Sequence, residues 1–127
     1  MATSRAIRLL VAEPHEMVRT SLIALINVYD DITLVGEAQD GYEALSLCQE
    51  LQPDVVLISL YLNKLDGILT TQRLCETPDH PYIVMLDGLL GQEHEKAAFD
   101  AGVNVYLTQE STTDDIVASI RASIQQP

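Results

Sequence analysis

Five short apolar runs punctuate the chain, and longer segments with helical spacing separate them. The runs are Ile7–Val11 (IRLLV), Ile32–Ala38 (ITLVGEA), Asp54–Ser59 (DVVLIS), Tyr82–Leu86 (YIVML) and Val103–Leu107 (VNVYL). The first, third and fourth are nearly continuous in apolar residues, as parallel strands covered on both faces must be. The first intervening segment predicts a helix from Pro14, suited to a first turn, to about Tyr29, with Val18, Leu22, Leu25 and Ile26 recurring at spacings of three and four. Asp40 is the candidate N-cap of a second helix that turns Ala44, Leu45, Cys48 and Leu51 to one face and stops before Pro53. A third spans Gly67–Glu76, short of Pro78. A fourth runs roughly from Gln92 to Ala101 and ends on Gly102. The fifth begins near Thr112 or Thr113, carries Asp114 and Asp115 in its first turn, and buries Ile116, Ile120 and Ile124.

Strand and helix therefore alternate five times without interruption, which predicts an α/β domain built on a parallel sheet with right-handed crossovers. The 127 residues suit a single domain over 1–127, with 125–127 a frayed tail or the start of a linker to an absent output domain. Sites on such sheets form outside the carboxyl ends of the strands. The positions to inspect are therefore Ala12 to His15, Ser59 to Asp66, Asp87 and Gly88, and Thr108 to Ser111.

Charge narrows the classes. Seven Lys and Arg stand against 19 Asp and Glu, a net charge of −12. Such a balance argues against a free-standing nucleic-acid binder and against docking on anionic membranes. No apolar stretch approaches the roughly 20 residues of a membrane span, and no secretory h-region is present. Cys48 and Cys75 form no CxxC and suit a reducing, cytoplasmic setting. The six glycines are isolated, so neither a dinucleotide fingerprint nor a phosphate loop occurs.

The stretches IRLLVAEPHEMVRTSLIALI, VGEAQDGYEAL, PDVVLISLYLNKLDG and AGVNVYLTQESTTDDIVASI cover nearly the whole chain in order. Together they resemble the receiver domain of bacterial two-component response regulators, of the LuxR/NarL/FixJ type whose receivers precede a helix-turn-helix. The resemblance implies a flavodoxin-like (βα)5 fold with strand order 2-1-3-4-5 and a role in phosphorelay signalling and transcription regulation rather than as an enzyme. It also implies a set of site positions: an acidic pair after the first strand, a phospho-accepting Asp after the third, Thr or Ser after the fourth, and Lys after the fifth.

At those positions this chain departs from the family. The acidic pair is Ala12 and Glu13, the acceptor position holds Ser59, the Thr/Ser position holds Asp87, and the Lys position holds Gln109. Tyr106 fills the aromatic switch position, as the family allows. A serine hydroxyl is a weak, neutral nucleophile and would give a phosphate ester, never an acyl phosphate. Asp87 sets a negative charge where a phosphoryl group would be received, which at about 4 Å costs on the order of 1–4 kcal/mol. Mg²⁺ needs hard oxygen ligands, and two of its three usual carboxylates are missing. The expectation is a pseudo-receiver, not phosphorylated on Asp, with no cofactor. Mg²⁺ binding should be weak or absent, and Glu13 and Asp87 are the weak metal candidates.

Each departure has a plainer reading: Ser59 ends a buried strand, Glu13 favours a helix N-terminus, Asp87 sits in an Asp-Gly turn, and Gln109 faces solvent. Two other chemistries remain open. Ser59 could be modified by a serine kinase, with Tyr106 reporting the change. Ser59, His15 and Asp87 supply the residue types of a hydrolytic triad, without a G-x-S-x-G elbow. Expected partners are a second copy of the chain and a histidine kinase or other regulatory protein. By family resemblance, dimer contacts would use the fourth helix, fifth strand and fifth helix, or the first and fifth helices. Asp30, Asp31, Glu93, Glu95, Asp114 and Asp115 read as helix-end or surface charges.

Overall fold

The computed structural model describes residues 5–88 and 93–125. Its elements follow the chain as β1 Ile7–Ala12, α1 Glu16–Ile26, β2 Ile32–Ala38, α2 Gly41–Leu51 and β3 Val55–Ser59. They continue as α3 Gly67–Leu74, β4 Tyr82–Leu86, α4 Glu95–Ala101, β5 Val105–Leu107 and α5 Thr113–Arg121, then a 3₁₀ turn over Ala122–Gln125. The sheet order is β2-β1-β3-β4-β5, with every neighbouring pair parallel. This is the flavodoxin-like order expected from the sequence.

The two-residue period of a strand divides the core into two layers. Leu10, Ala12, Val56, Ile58, Ile83 and Met85 pack with Ala44 of α2, Leu74 of α3 and Ala98 of α4. Leu9, Val11, Val55, Leu57 and Val84 face the other way, onto Ile26 of α1 and Ile116, Val117 and Ile120 of α5. Full burial of such side chains stabilises by about 1.5–3 kcal/mol each, which explains why β1 and β3 carry no charged residue beyond Arg8.

Capping residues set where helices begin. The Asp40 carboxylate accepts from Glu43 N at 2.9 Å, and Asp66 accepts from Leu69 N at 2.9 Å. Thr112 and Asp115 form a reciprocal capping box at α5. Gly102, at φ 120°, ends α4; a Cβ there would lie 2.5 Å from Cys75 Sγ.

Several expected boundaries and faces are corrected. α1 begins at Glu16 rather than Pro14, because the backbone at His15 is still extended. Its buried residues are Arg19 and Ile26, while Val18 and Leu25 are both 48% exposed. The inward line is set by a polar residue, Arg19, and Val18 and Leu25 each fall one position off it. Ile124 is 71% exposed, not core. α5 gives way at Ala122 to three residues per turn, which rotates Ile124 off the Ile116–Ile120 face. β5 starts at Val105 rather than Val103, since Asn104 pairs with Ile83 partly through its side chain, Oδ1 accepting from Ile83 N at 2.8 Å. α3 ends at Leu74, two residues early, where the Thr77 hydroxyl donates to the Leu74 carbonyl at 3.2 Å. The expected start of the fourth helix at Gln92, and residues 126–127 of the expected tail, lie outside the described residues.

The β1–β2 ladder carries one irregularity. Leu9 pairs with Leu34 but Leu10 pairs with Gly36, so Val35 is an extra residue on β2. A Cβ on Gly36 would stand 2.9 Å from both Leu10 Cδ1 and Leu51 Cδ1. Among the described residues, no helix is long and apolar enough to cross a membrane.

Candidate functional site

Backbone pairing continues one residue past the carboxyl ends of the strands and fixes the site's frame. Glu13 N donates to Ala38 O at 3.0 Å, Leu60 N to Leu86 O at 2.9 Å, and Asp87 N to Leu107 O at 2.8 Å. Glu13, Ser59 and Asp87 thereby fall along one edge of the sheet, with Tyr106 on β5 beside β4 through its pairing with Met85.

Ser59 ends β3 and is 9% exposed. Its Oγ accepts from Tyr61 N at 3.2 Å, so the hydroxyl is bound into the loop that follows it. α3 presses on the same point. Gly67 N donates to Leu60 O at 2.9 Å, and a Cβ on Gly67 would lie 2.4 Å from the Ser59 carbonyl oxygen.

At the acidic-pair position, Ala12 places a methyl in the core. The Glu13 side chain is buried and turned onto its own loop: Oε2 accepts from His15 N at 2.7 Å and lies 3.1 Å from His15 Nδ1. Its backbone is held as well, because the buried Arg19 donates from Nη1 to the Glu13 carbonyl at 2.9 Å and from Nε to Glu37 at 3.0 Å. Sequence reasoning missed Arg19. The available signal was a lone arginine one turn before Ile23 in an otherwise apolar-to-small helix.

Asp87 is 3% exposed and is no simple turn residue, which corrects the plain Asp-Gly reading. The Tyr106 hydroxyl donates to its carboxylate. Burial first, then this hydrogen bond and the Asp87 charge, hold the Tyr106 phenol well above its ordinary 10.0. Burial followed by the Asp87 charge also raises the Tyr61 phenol. Two aromatic contacts frame the group, Phe99 of α4 at 6.4 Å from Tyr106 and His94 edge-on to Tyr61 at 6.3 Å. Gln109 is exposed, beyond β5.

The hydrolytic arrangement is not assembled. The His15 ring is largely exposed and directed at Glu13, and no hydrogen bond joins it to Ser59. Among the described residues, no group of three or more His, Cys, Asp or Glu side chains is placed to hold a metal ion.

Comparison with known proteins places this arrangement. Residues 9–121 match the family model described as the response regulator receiver domain. The transcriptional regulatory protein LiaR of Bacillus subtilis is 37% identical over 117 residues, covering 92% of this chain and 56% of that protein. The response regulator protein VraR of Staphylococcus aureus (strain NCTC 8325) is 30% identical over 115 residues, 91% of this chain and 55% of the relative. The chain thus spans about half the length of the curated relatives it matches. A LuxR-family two-component response regulator from Aurantimonas sp. SI85-9A1 superposes with a TM-score of 0.88 at 28% identity, covering 94% of this chain and 86% of that one. The receiver domain of NarL from Mycobacterium tuberculosis has the same fold, with a TM-score of 0.89 over 97% of this chain and all of that one, at 22% identity. With the alternating elements, the 2-1-3-4-5 sheet and these matches in hand, the chain belongs to the response regulator receiver domain family.

Proposed function

We propose that this domain is a pseudo-receiver, a signalling module that keeps the receiver scaffold, is not phosphorylated on an aspartate, and regulates transcription through protein contacts. The observation that carries this reading is Asp87: a buried carboxylate, already engaged by Tyr106, occupies the place where a phosphoryl group would be received. Ser59 adds to it, since an alcohol bonded to Tyr61 N replaces the carboxylate nucleophile. The donor set does not fit Mg²⁺. Ala12 offers nothing, the Glu13 carboxylate already accepts from His15, and a cation of this kind wants several free oxygens. Modification of Ser59 by a serine kinase is disfavoured by the same burial.

The partner this reading favours is a second copy of the chain. Met17 and Leu25 on α1, with Val28 just beyond it, are 83%, 48% and 74% exposed and lie along one helical line with Ser21 and Ala24. α5 buries Ile116, Val117 and Ile120 against the sheet, whereas the Met17, Leu25 and Val28 side chains along the α1 line stand uncovered together. Two free cysteines suit a cytoplasmic setting, and any DNA contact would come from a segment other than this acidic domain. Incubation with acetyl phosphate or beryllofluoride and Mg²⁺ tests the proposal. The expected result is no mass gain and no chemical-shift change; a stoichiometric response would overturn it.

A further inference from the structure

Asp87 is tied to the rest of the molecule through both its backbone and its carboxylate, and the Tyr61 hydroxyl meets that carboxylate as well. The Asp87 backbone N donates to Leu107 O at 2.8 Å, tying the end of β4 to the end of β5. Its carboxylate takes the hydroxyl of Tyr106, a β5 side chain only 9% exposed. The Tyr106 ring in turn meets Phe99, on the partly exposed side of the seven-residue α4. A continuous line of contacts therefore runs from the carboxyl end of β4, through Tyr106, to α4.

The chemistry of the central contact makes it durable. A carboxylate only accepts and a neutral phenol donates, so the Tyr106 hydroxyl is matched to Asp87, and charge-assisted bonds of this kind are the strong ones. Buried polar groups left unmade are costly, so swinging the Tyr106 hydroxyl away from Asp87 without a new acceptor would strand a buried phenol. We propose that Asp87 is a positioning residue that latches Tyr106 inward and thereby holds α4 and β5 in one conformation, with no phosphoryl group or other signal required. The latch rests on the pseudo-receiver reading for its meaning, since it supplies the fixed state that a receiver without phosphotransfer would need.

Residue-resolved amide hydrogen exchange on the 127-residue chain tests this, comparing the wild type with Tyr106→Phe, Asp87→Ala and Asp87→Asn. Loss of the bond in Tyr106→Phe should raise exchange over Glu95–Ala101 and β5 by about tenfold or more, with β1 and β3 unchanged. Asp87→Asn keeps an acceptor oxygen and should rescue most of the protection lost in Asp87→Ala. Ring resonances of Tyr106 should shift in both Asp87 variants and far more in the alanine. Unchanged α4 protection in Tyr106→Phe would overturn the latch, and so would a uniform rise across all strands, which would mark a general packing role. If Asp87→Ala fails to fold, Tyr106→Phe alone decides. The phosphodonor experiment reports separately: a chain that accepts phosphoryl groups while α4 responds as stated would retain the latch and lose the pseudo-receiver.

Discussion

Arg19 reaches from α1 to the backbone of Glu13, its Nη1 2.9 Å from the Glu13 carbonyl oxygen. Its guanidinium is buried while its ion-pair partner Glu37 is about half exposed. The charge is therefore held mainly by geometry, on the loop that carries the remaining acid of the site. Arg19→Met should cost about 1.5–3 kcal/mol, the range for hydrogen bonds to charged groups. Urea unfolding checks this, and an unchanged midpoint would show that the contact is idle.

Gly67 is required by closeness. A Cβ would stand 2.4 Å from the Ser59 carbonyl and 2.9 Å from Leu60 Cα, both backbone atoms that cannot swing aside. Gly67→Ala should destabilise by about 1–3 kcal/mol through overpacking. It should also shift the amide resonances of Leu60 and Tyr61, where a surface effect would leave them in place.

Restoring the nucleophile should not restore the chemistry. Ser59→Asp alone is expected to give no stoichiometric mass gain with acetyl phosphate and Mg²⁺, because Ala12, Asp87 and Gln109 still lack the ligand, the neutral hydroxyl and the counter-charge. Recovery from that single change would show that those three positions matter little.

Stability should fall in alkali. Burial pushes the Cys48 thiol from its ordinary 9.0 up to about 12, and the Tyr106 phenol is raised as well. A raised folded value means that the unfolded chain releases its proton first. The stabilisation is thus fully present below pH 9.0 and is lost as pH climbs towards 12. At pH 8 the folded Cys48 thiol stays protonated. Maleimide should therefore label Cys75 first and Cys48 only on unfolding, which peptide mass mapping resolves.

The apolar line on α1 predicts self-association. Sedimentation of the wild type should show a dimer that Met17→Glu weakens at least tenfold, in keeping with a charge placed in an apolar contact. A wild type that stays monomeric at high concentration would remove α1 as a partner surface.

Much of this fold was legible because its signals are local. Continuous apolar runs in β1, β3 and β4, short and spaced between helical segments, fit strands covered on both sides, and Asp40 and Thr112 announce helix starts through bonds that span three residues. Positions that depend on distant partners were less visible. Val18 and Leu25 satisfy a helical period yet face outward, because Arg19 is drawn inward by Glu13 and Glu37 from other elements. Ile124 continues the spacing of Ile116 and Ile120, but the helix tightens before reaching it. At the site, the resemblance supplied the positions of Glu13, Ser59 and Asp87. Their bonding needed three dimensions: no sequence spacing links Asp87 to Tyr106, or shows that Glu13 is occupied by His15.

The extra residue at Val35 bears on how copies of this domain can meet. β2 is one open margin of the sheet, and the bulge twists it out of the flat ladder that a foreign strand would need. The opposite margin, β5, is only three residues long. Neither border offers a template for growing the sheet across molecules. Self-association of this domain, where it occurs, would then fall to helix surfaces rather than to backbone pairing between sheets.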